Sequence, residues 1–156
     1  MPPDALPRYP GPRAPDAALT QLLHNDAASA AFTRDGPRAD VEYRELGWAS
    51  ASGGAIGARH IRAIRPFDRE TGWHWHDMTG HFVFVLRGSI TFRFAGTERE
   101  VTVGAGSSLS QPAGVAHNVV GRSDDLELIE INLPAAFGTW DLPQPAAHAN
   151  SSGTSG

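Results

Sequence analysis

The sequence predicts an all-β protein, built as one barrel or two-sheet jelly roll of short antiparallel strands. Its 156 residues suit a single domain. They include 17 glycines and 12 prolines, which is too many for a helix bundle. Between Val41 and Leu133, short runs rich in Val, Ile, Phe and Thr are separated by turns that contain glycine. No helical segment of ordinary length interrupts this region, so a parallel sheet with crossover helices is not expected.

The first 40 residues are expected to lie outside the barrel. Residues 1–15 are rich in proline, so we predict an extended arm that forms neither a helix nor a central strand. Residues 16–40 are predicted to form a helical and turn segment. Its short helix begins near Asp16, a good N-cap, and three leucines fit one stripe of it: Leu19, Leu22 and Leu23.

Nine strands are predicted within residues 41–133, the expected barrel. They are residues 41–48, 56–65, 72–76, 81–87, 89–95, 98–103, 107–111, 116–121 and 126–133. Tight hairpins are predicted at residues 87–90 and 95–97, where a glycine separates two apolar runs. Residues 134–156 are expected to be a C-terminal extension that ends in a small, polar, disordered tail.

Composition excludes several kinds of chemistry. Cysteine is absent, so neither a disulfide framework nor a thiolate nucleophile is available. All 13 basic residues are arginine, which excludes a Schiff-base lysine and the lysine of a phosphate-binding loop. The net charge of −4 disfavours non-specific nucleic-acid binding, and no apolar run is long enough to span a membrane. We expect a cytoplasmic protein, since the first residues lack the apolar stretch of a signal peptide.

Four of the seven histidines lie in two segments that we expect to be structured. His74 and His76 are two residues apart, which places both imidazoles on one face of a strand. His81 opens the next strand and can face the same cavity if the two strands pair antiparallel. His117 follows a Pro-x-Gly turn and can add a fourth imidazole from another strand. Four neutral nitrogen donors fit a divalent transition metal (Fe, Mn, Ni, Cu or Zn) and do not fit Ca or Mg.

Other polar and aromatic residues have simpler interpretations. Gln111, directly before the Pro-x-Gly turn, is the best polar candidate to support the metal ligands, and the alternative is a surface residue. Glu127 and Glu130 are interpreted as solvated strand charges. The remaining histidines are expected to be structural: His24, His60 and His148. Trp73 and Trp75 are expected to pack on the barrel or in a subunit interface, and the strand at residues 81–87 is apolar on both faces.

The two histidine segments resemble the paired motifs of the cupin superfamily. In the first motif His74, His76 and Gly88 fill their places, and His81 stands where a ligand Glu is usual. The second motif is matched at each place: Gly106, Pro112, Gly114 and His117. The resemblance covers about residues 41–133 and is that of a small bacterial monocupin. It implies a single cupin jelly-roll β-barrel, the double-stranded β-helix, with a short N-terminal helix and flexible tails.

The resemblance also implies one divalent transition metal, with Fe or Mn favoured over Zn, Ni or Cu. Its expected ligands are His74, His76, His81 and His117. We expect a mononuclear non-haem dioxygenase-type oxidoreductase that acts on a small enolisable or phenolic substrate. The alternatives are a non-redox Zn or Ni cupin, similar to polyketide cyclases or isomerases, and a small-ligand-binding cupin without catalysis. We expect a homodimer that takes a small-molecule substrate and binds neither nucleic acid nor membrane.

Overall fold

The computed structural model describes residues 21–97 and 99–143. The predicted proline-rich arm, residues 16–20 of the predicted helix and the predicted tail from residue 144 lie outside them. The described end of that helix, residues 21–23, is irregular, and Leu22 and Leu23 are exposed. Among the described residues, no helix has the length and hydropathy needed to cross a bilayer.

Ten strands and one short helix make up the described chain. In order they are β1 (Val41–Glu45), α1 (Trp48–Ala51), β2 (Gly57–Ala63), β3 (His74–His76), β4 (Gly80–Arg87), β5 (Ser89–Phe94), β6 (Glu100–Gly104), β7 (Ser108–Gln111), β8 (His117–Arg122), β9 (Glu127–Leu133) and β10 (Thr139–Asp141). The prediction of an all-β fold is confirmed, and each predicted strand is found within a few residues of its expected bounds. The sequence reading did not predict α1 or β10.

The strands form two five-stranded antiparallel sheets. The first sheet has the order β1-β2-β9-β4-β7, and the second has the order β10-β3-β8-β5-β6. The suggested pairing of the strand at His74–His76 with the strand that begins at His81 is wrong. The former, β3, pairs with β8 and β10, whereas β4 pairs with β7 and β9. The strands β3 and β4 are therefore neighbours in sequence but lie in opposite sheets.

The hairpin predicted at residues 87–90 is also wrong, because β4 and β5 belong to different sheets. Gly88 makes the corner between them with a φ of 72°, a conformation that favours glycine. A Cβ there would lie 2.1 Å from Ser123 Oγ, so the close approach also requires glycine. The other predicted hairpin is confirmed, since β5 and β6 pair directly around Gly96.

The core lies between the two sheets, where alternate residues of the central strands meet. Val83 and Val85 come from β4 and Leu128 from β9, while Ile90 and Phe92 come from β5. All five side chains are buried. Towards one end of the barrel this apolar filling gives way to polar side chains, and the predicted histidines lie there.

Candidate metal centre

Three of the four predicted ligands converge in the second sheet. His74 and His76 share one face of β3, and His117 begins β8 as the direct cross-strand partner of His74. Their ring centroids are 4.4 to 5.2 Å apart. One nitrogen of each ring lies within 4.8 Å of a nitrogen of each of the others, close enough to share one metal ion. We call these three residues the histidine triad.

The hydrogen bonds of the histidine triad orient its rings. His74 Nδ1 donates to the carbonyl oxygen of Gly72 at 2.9 Å, and His117 Nδ1 donates to that of Val115 at 3.2 Å. Because a carbonyl can only accept, both rings keep their lone pair on Nε2. His76 Nδ1 bonds the Thr139 hydroxyl at 2.8 Å. Metal-binding histidines typically have such a partner on the second nitrogen, so the triad fits a transition metal.

Burial keeps the triad uncharged. Desolvation and the neighbouring histidines lower the pKa of His76 to about 4 and that of His117 to about 3, and burial lowers the pKa of His74. All three rings are therefore neutral at pH 7. A metal ion would not need to displace protons from them, because a histidine ligand must be neutral.

The fourth predicted ligand, His81, faces the same cavity from the first sheet but does not join the triad in one ligand group. Its ring centroid is 5.5 Å from that of His76 and 6.0 Å from that of His117. Its Nε2 lies 3.1 Å from Glu130 Oε2. A carboxylate only accepts, so Nε2 carries the proton in this arrangement.

Glu130 links His81 to a half-buried arginine. Its other oxygen, Oε1, lies 2.5 Å from Arg59 Nη2. Burial alone would raise the pKa of Glu130, but the hydrogen bond from His81 and the charge of Arg59 lower it to about 2. Glu130 is therefore an ionised carboxylate inside the barrel, and its interpretation as a solvated strand charge is wrong.

The sequence contained a signal that would have identified Glu130. Leu126 and Leu128 are buried, and the residues at the same alternation in β9 are Glu130 and Asn132. Side chains two apart in a strand share a face, so the apolar pair places the carboxylate in the interior. Arg59, which the sequence reading did not single out, follows the same alternation in β2 with Ile61.

Gln111 lies beside His81, at the position the sequence indicated for a supporting residue. It is the cross-strand partner of His81 and is buried, with its Nε2 3.5 Å from His81 Nε2. Its Oε1 is buried without a hydrogen-bond partner in the described part of the chain. His60, in contrast, bonds Arg44 and Glu127 and is not part of the centre, as expected for a structural histidine.

The triad and His81 open on a cavity of about 640 Å³. Its walls combine aromatic and aliphatic side chains with a few polar groups, as is usual for sites that bind small molecules. Phe92, Phe137 and Tyr43 contribute the aromatic surface. The arrangement can therefore hold a metal ion at its histidine wall and an organic molecule of modest size against it.

Comparison with known proteins confirms the resemblance. Residues 61–132 match the family model for the cupin domain. No curated protein sequence matches the chain. The polyketide cyclase RemF from Streptomyces resistomycificus has a similar structure, with a TM-score of 0.62 and 17% identity over 78% of this chain and 86% of that one. KdgF from Halomonas sp. is also similar in structure, with a TM-score of 0.55 and 14% identity over 70% of this chain and 92% of that one.

A mutant of Bacillus subtilis oxalate decarboxylase OxdC is also similar, with a TM-score of 0.55 and 15% identity. The match covers 74% of this chain but only 31% of that longer protein. At such identities these likenesses establish the fold alone.

Proposed function

Since residues 61–132 form a cupin domain, we propose that the protein is a metal-dependent enzyme that binds one divalent transition metal, with Fe or Mn favoured. We assign it the activity of a mononuclear dioxygenase-type oxidoreductase on a small enolisable or phenolic substrate. The observation that carries this proposal is the histidine triad, which presents three neutral nitrogen donors to one point of the cavity.

In the proposed ligand set the triad holds the metal, and His81 is a fourth, weaker ligand. His81 is held back by Glu130, whose carboxylate is itself neutralised by Arg59. Binding a metal ion should cost the triad little free energy, because its rings are already neutral and are oriented by Gly72, Val115 and Thr139. Loss of His81 should therefore weaken metal binding less than loss of a triad member does.

The charge balance of the cavity indicates an anionic substrate oxygen. A bound cation would act as a Lewis acid towards that oxygen and, if it were Fe or Mn, as a redox centre for reaction with O₂. The triad adds no negative charge to compensate the cation, and the negative charge of Glu130 is paired with Arg59. An enolate or phenolate would supply the missing charge, and the aromatic wall of Tyr43, Phe92 and Phe137 suits its flat carbon skeleton.

A second candidate is a non-redox reaction with Zn or Ni, in which a carbonyl is polarised for cyclisation or isomerisation. The polyketide cyclase RemF, whose fold is similar along most of both chains, is an example of this reaction class. It uses the same triad and the same cavity, and it differs in requiring no oxygen.

Metal analysis and oxygen uptake distinguish these functions. The protein is purified anaerobically, its metal is identified by mass spectrometry, and O₂ consumption is measured with acetylacetone, quercetin and catechol. We expect Fe or Mn and an uptake that disappears in His117→Ala but persists in His24→Ala, which removes an exposed histidine outside the cavity. Conversion without O₂ uptake on a Zn or Ni protein would establish the second candidate. Absence of bound metal, or capture of a ligand without turnover, would contradict both.

A further inference from the structure

Six ionisable side chains line the cavity besides the histidines and Tyr43. They are Arg38, Asp40, Arg59, Arg122, Glu130 and Asp141. Four of them form two ion pairs: Arg59 binds Glu130 at 2.5 Å, and Arg122 binds Asp40 at 2.8 Å. Arg38 makes no ion pair and no side-chain hydrogen bond with any residue of 21–97 or 99–143. It is thus the arginine of the cavity whose guanidinium is left available to a ligand.

Packing fixes Arg38 in the wall of the cavity. The chain reaches it through Gly36, which lies flat on the ring of Tyr43. A Cβ at Gly36 would come within 2.0 Å of Tyr43 Cε2. Tyr43 is itself buried and lines the cavity, so the segment before β1 closes one side of it. Arg38 is half-buried as a result, and it faces the space that the triad also faces.

An unpaired guanidinium in this position is poorly solvated. Burial lowers the pKa of Arg38, although the neighbouring acidic groups of Tyr43, Asp40 and Asp141 act in the opposite direction. An arginine nevertheless stays protonated in proteins, so the cation persists without an adjacent counter-ion. Its planar array of N–H donors matches a carboxylate, which it can bind through two parallel hydrogen bonds.

We infer that Arg38 orients the substrate by binding a carboxylate of it, while a second oxygen of the same molecule is directed to the histidine triad. The substrate class is therefore narrowed to enolisable or phenolic carboxylic acids. This inference rests on the proposed function for the second oxygen, but the contact between Arg38 and the carboxylate does not require a metal.

Asp141 is the alternative partner for Arg38. It lies on β10 as the cross-strand partner of His74, and it too lacks an ion pair among the described residues. Its charge raises the pKa of Arg38, although no ion pair joins the two side chains. If the two side chains closed on each other in solution, Arg38 would be neutralised and would not select a carboxylate.

Matched probes test the inference by calorimetry. Catechol and 3,4-dihydroxybenzoate differ by one carboxylate, and so do acetylacetone and 2,4-dioxopentanoate. Each is titrated into Zn-loaded protein, which does not turn over with O₂, and into metal-free protein. We expect the carboxylated member of each pair to bind about tenfold more tightly, as one charge-assisted pair provides. Arg38→Gln should abolish that preference without changing metal content or the affinity for catechol.

Two further variants, Arg87→Gln and Asp141→Asn, complete the experiment. Arg87→Gln removes the same charge from an exposed side chain outside the cavity and should keep the preference. Equal affinities within each pair in the wild type would overturn the inference, and so would an equal loss in Arg87→Gln. A preference that appears only in Asp141→Asn would show that Asp141 neutralises Arg38. If no metal binds, the proposed function fails, but a preference that Arg38→Gln removes from metal-free protein would still establish the carboxylate contact.

Discussion

At the scale of single residues, the role of His81 decides whether the candidate metal centre has three or four histidine ligands. It occupies the place in the motif where cupins usually carry a ligand Glu, yet its Nε2 faces Glu130 at 3.1 Å. The triad nitrogens form a ligand group without it. The carboxylate near these histidines therefore lies on β9 and contacts His81.

Separate substitution of His117 and His81 should show how much each contributes to metal affinity. We expect His117→Ala to lower the affinity for Zn more than about 100-fold, because it removes a triad ligand. His81→Ala should lower it by about tenfold, as the loss of a supporting group does. Competition with a fluorescent chelator measures both values, and circular dichroism checks that the barrel is folded. Equal losses would show four equivalent ligands, and an unchanged affinity in His81→Ala would show that His81 serves only Glu130.

The Glu130–Arg59 pair should stabilise the folded protein as well as position His81. Breaking a largely buried ion pair leaves an uncompensated charge, so we expect Glu130→Gln to lower the free energy of unfolding by about 2 kcal/mol. Glu100 offers a matched control, since it also lies 2.5 Å from an arginine, Arg93, but is half exposed. Glu100→Gln should cost less than about 0.5 kcal/mol. Urea denaturation of the metal-free proteins measures both, and equal values would contradict the buried role of Glu130.

At the scale of elements, β10 supports the centre from outside the matched family region. Its Thr139 bonds His76 Nδ1 at 2.8 Å, and its Trp140 stacks on Trp75 of β3 with ring centroids 4.6 Å apart. The strand β10 is thus the edge strand of the second sheet, and it covers β3, which carries two of the three triad histidines.

Removal of the Thr139 hydroxyl tests whether its hydrogen bond to His76 contributes to metal affinity. We expect Thr139→Val to keep the fold but to lower metal affinity by about tenfold, because His76 loses the partner that orients its ring. Thr102→Val removes an exposed cross-strand hydroxyl bond to Thr91 instead and should leave the affinity unchanged. Titration with Zn measures both variants, and equal affinities in the two would show that His76 is oriented by packing alone.

The strands were predictable because their signals are local. Alternation and glycine turns identified β1 to β9, and the same alternation placed His81 with Val83 and Val85 on the inner face of β4. Pairing between strands is not local, and β3 and β4 were therefore expected together although they lie in opposite sheets. The strand β10 has only three residues, too few to show a period of two.

In the candidate site, only the residues that belong to a sequence motif or lie next to one were predictable. Spacing identified the histidines and Gln111, whereas Glu130 and Arg38 carry no motif. Each is a charged residue in a sequence with many exposed charges, and only the fold shows that it faces the cavity. The inner alternation of Leu126 and Leu128 was the one sequence signal that pointed to Glu130.

At the scale of the whole molecule, one outer face remains apolar. Phe84 and Leu86 of β4 are 38% and 45% exposed, and Leu133 of β9 is 38% exposed. Ile129, the cross-strand partner of Phe84, continues the same face. Contiguous apolar surface of this kind marks an interaction site in soluble proteins.

We propose that this face pairs two copies of the chain. Light scattering with size-exclusion chromatography should give twice the chain mass of 16.6 kDa. Phe84→Glu combined with Leu86→Glu should shift the protein to a monomer, because each chain would bury two carboxylates against those of its partner. A monomeric wild type would contradict the proposal, as would a dimer unaffected by both substitutions.

X-ray absorption at the K edge of the bound metal tests the centre most directly, because it counts the imidazoles around the ion. The protein loaded with one equivalent of Zn should show at least three imidazole nitrogens, falling by one in His117→Ala. A first shell made of oxygen, or one imidazole or none, would contradict a metal held by His74, His76 and His117.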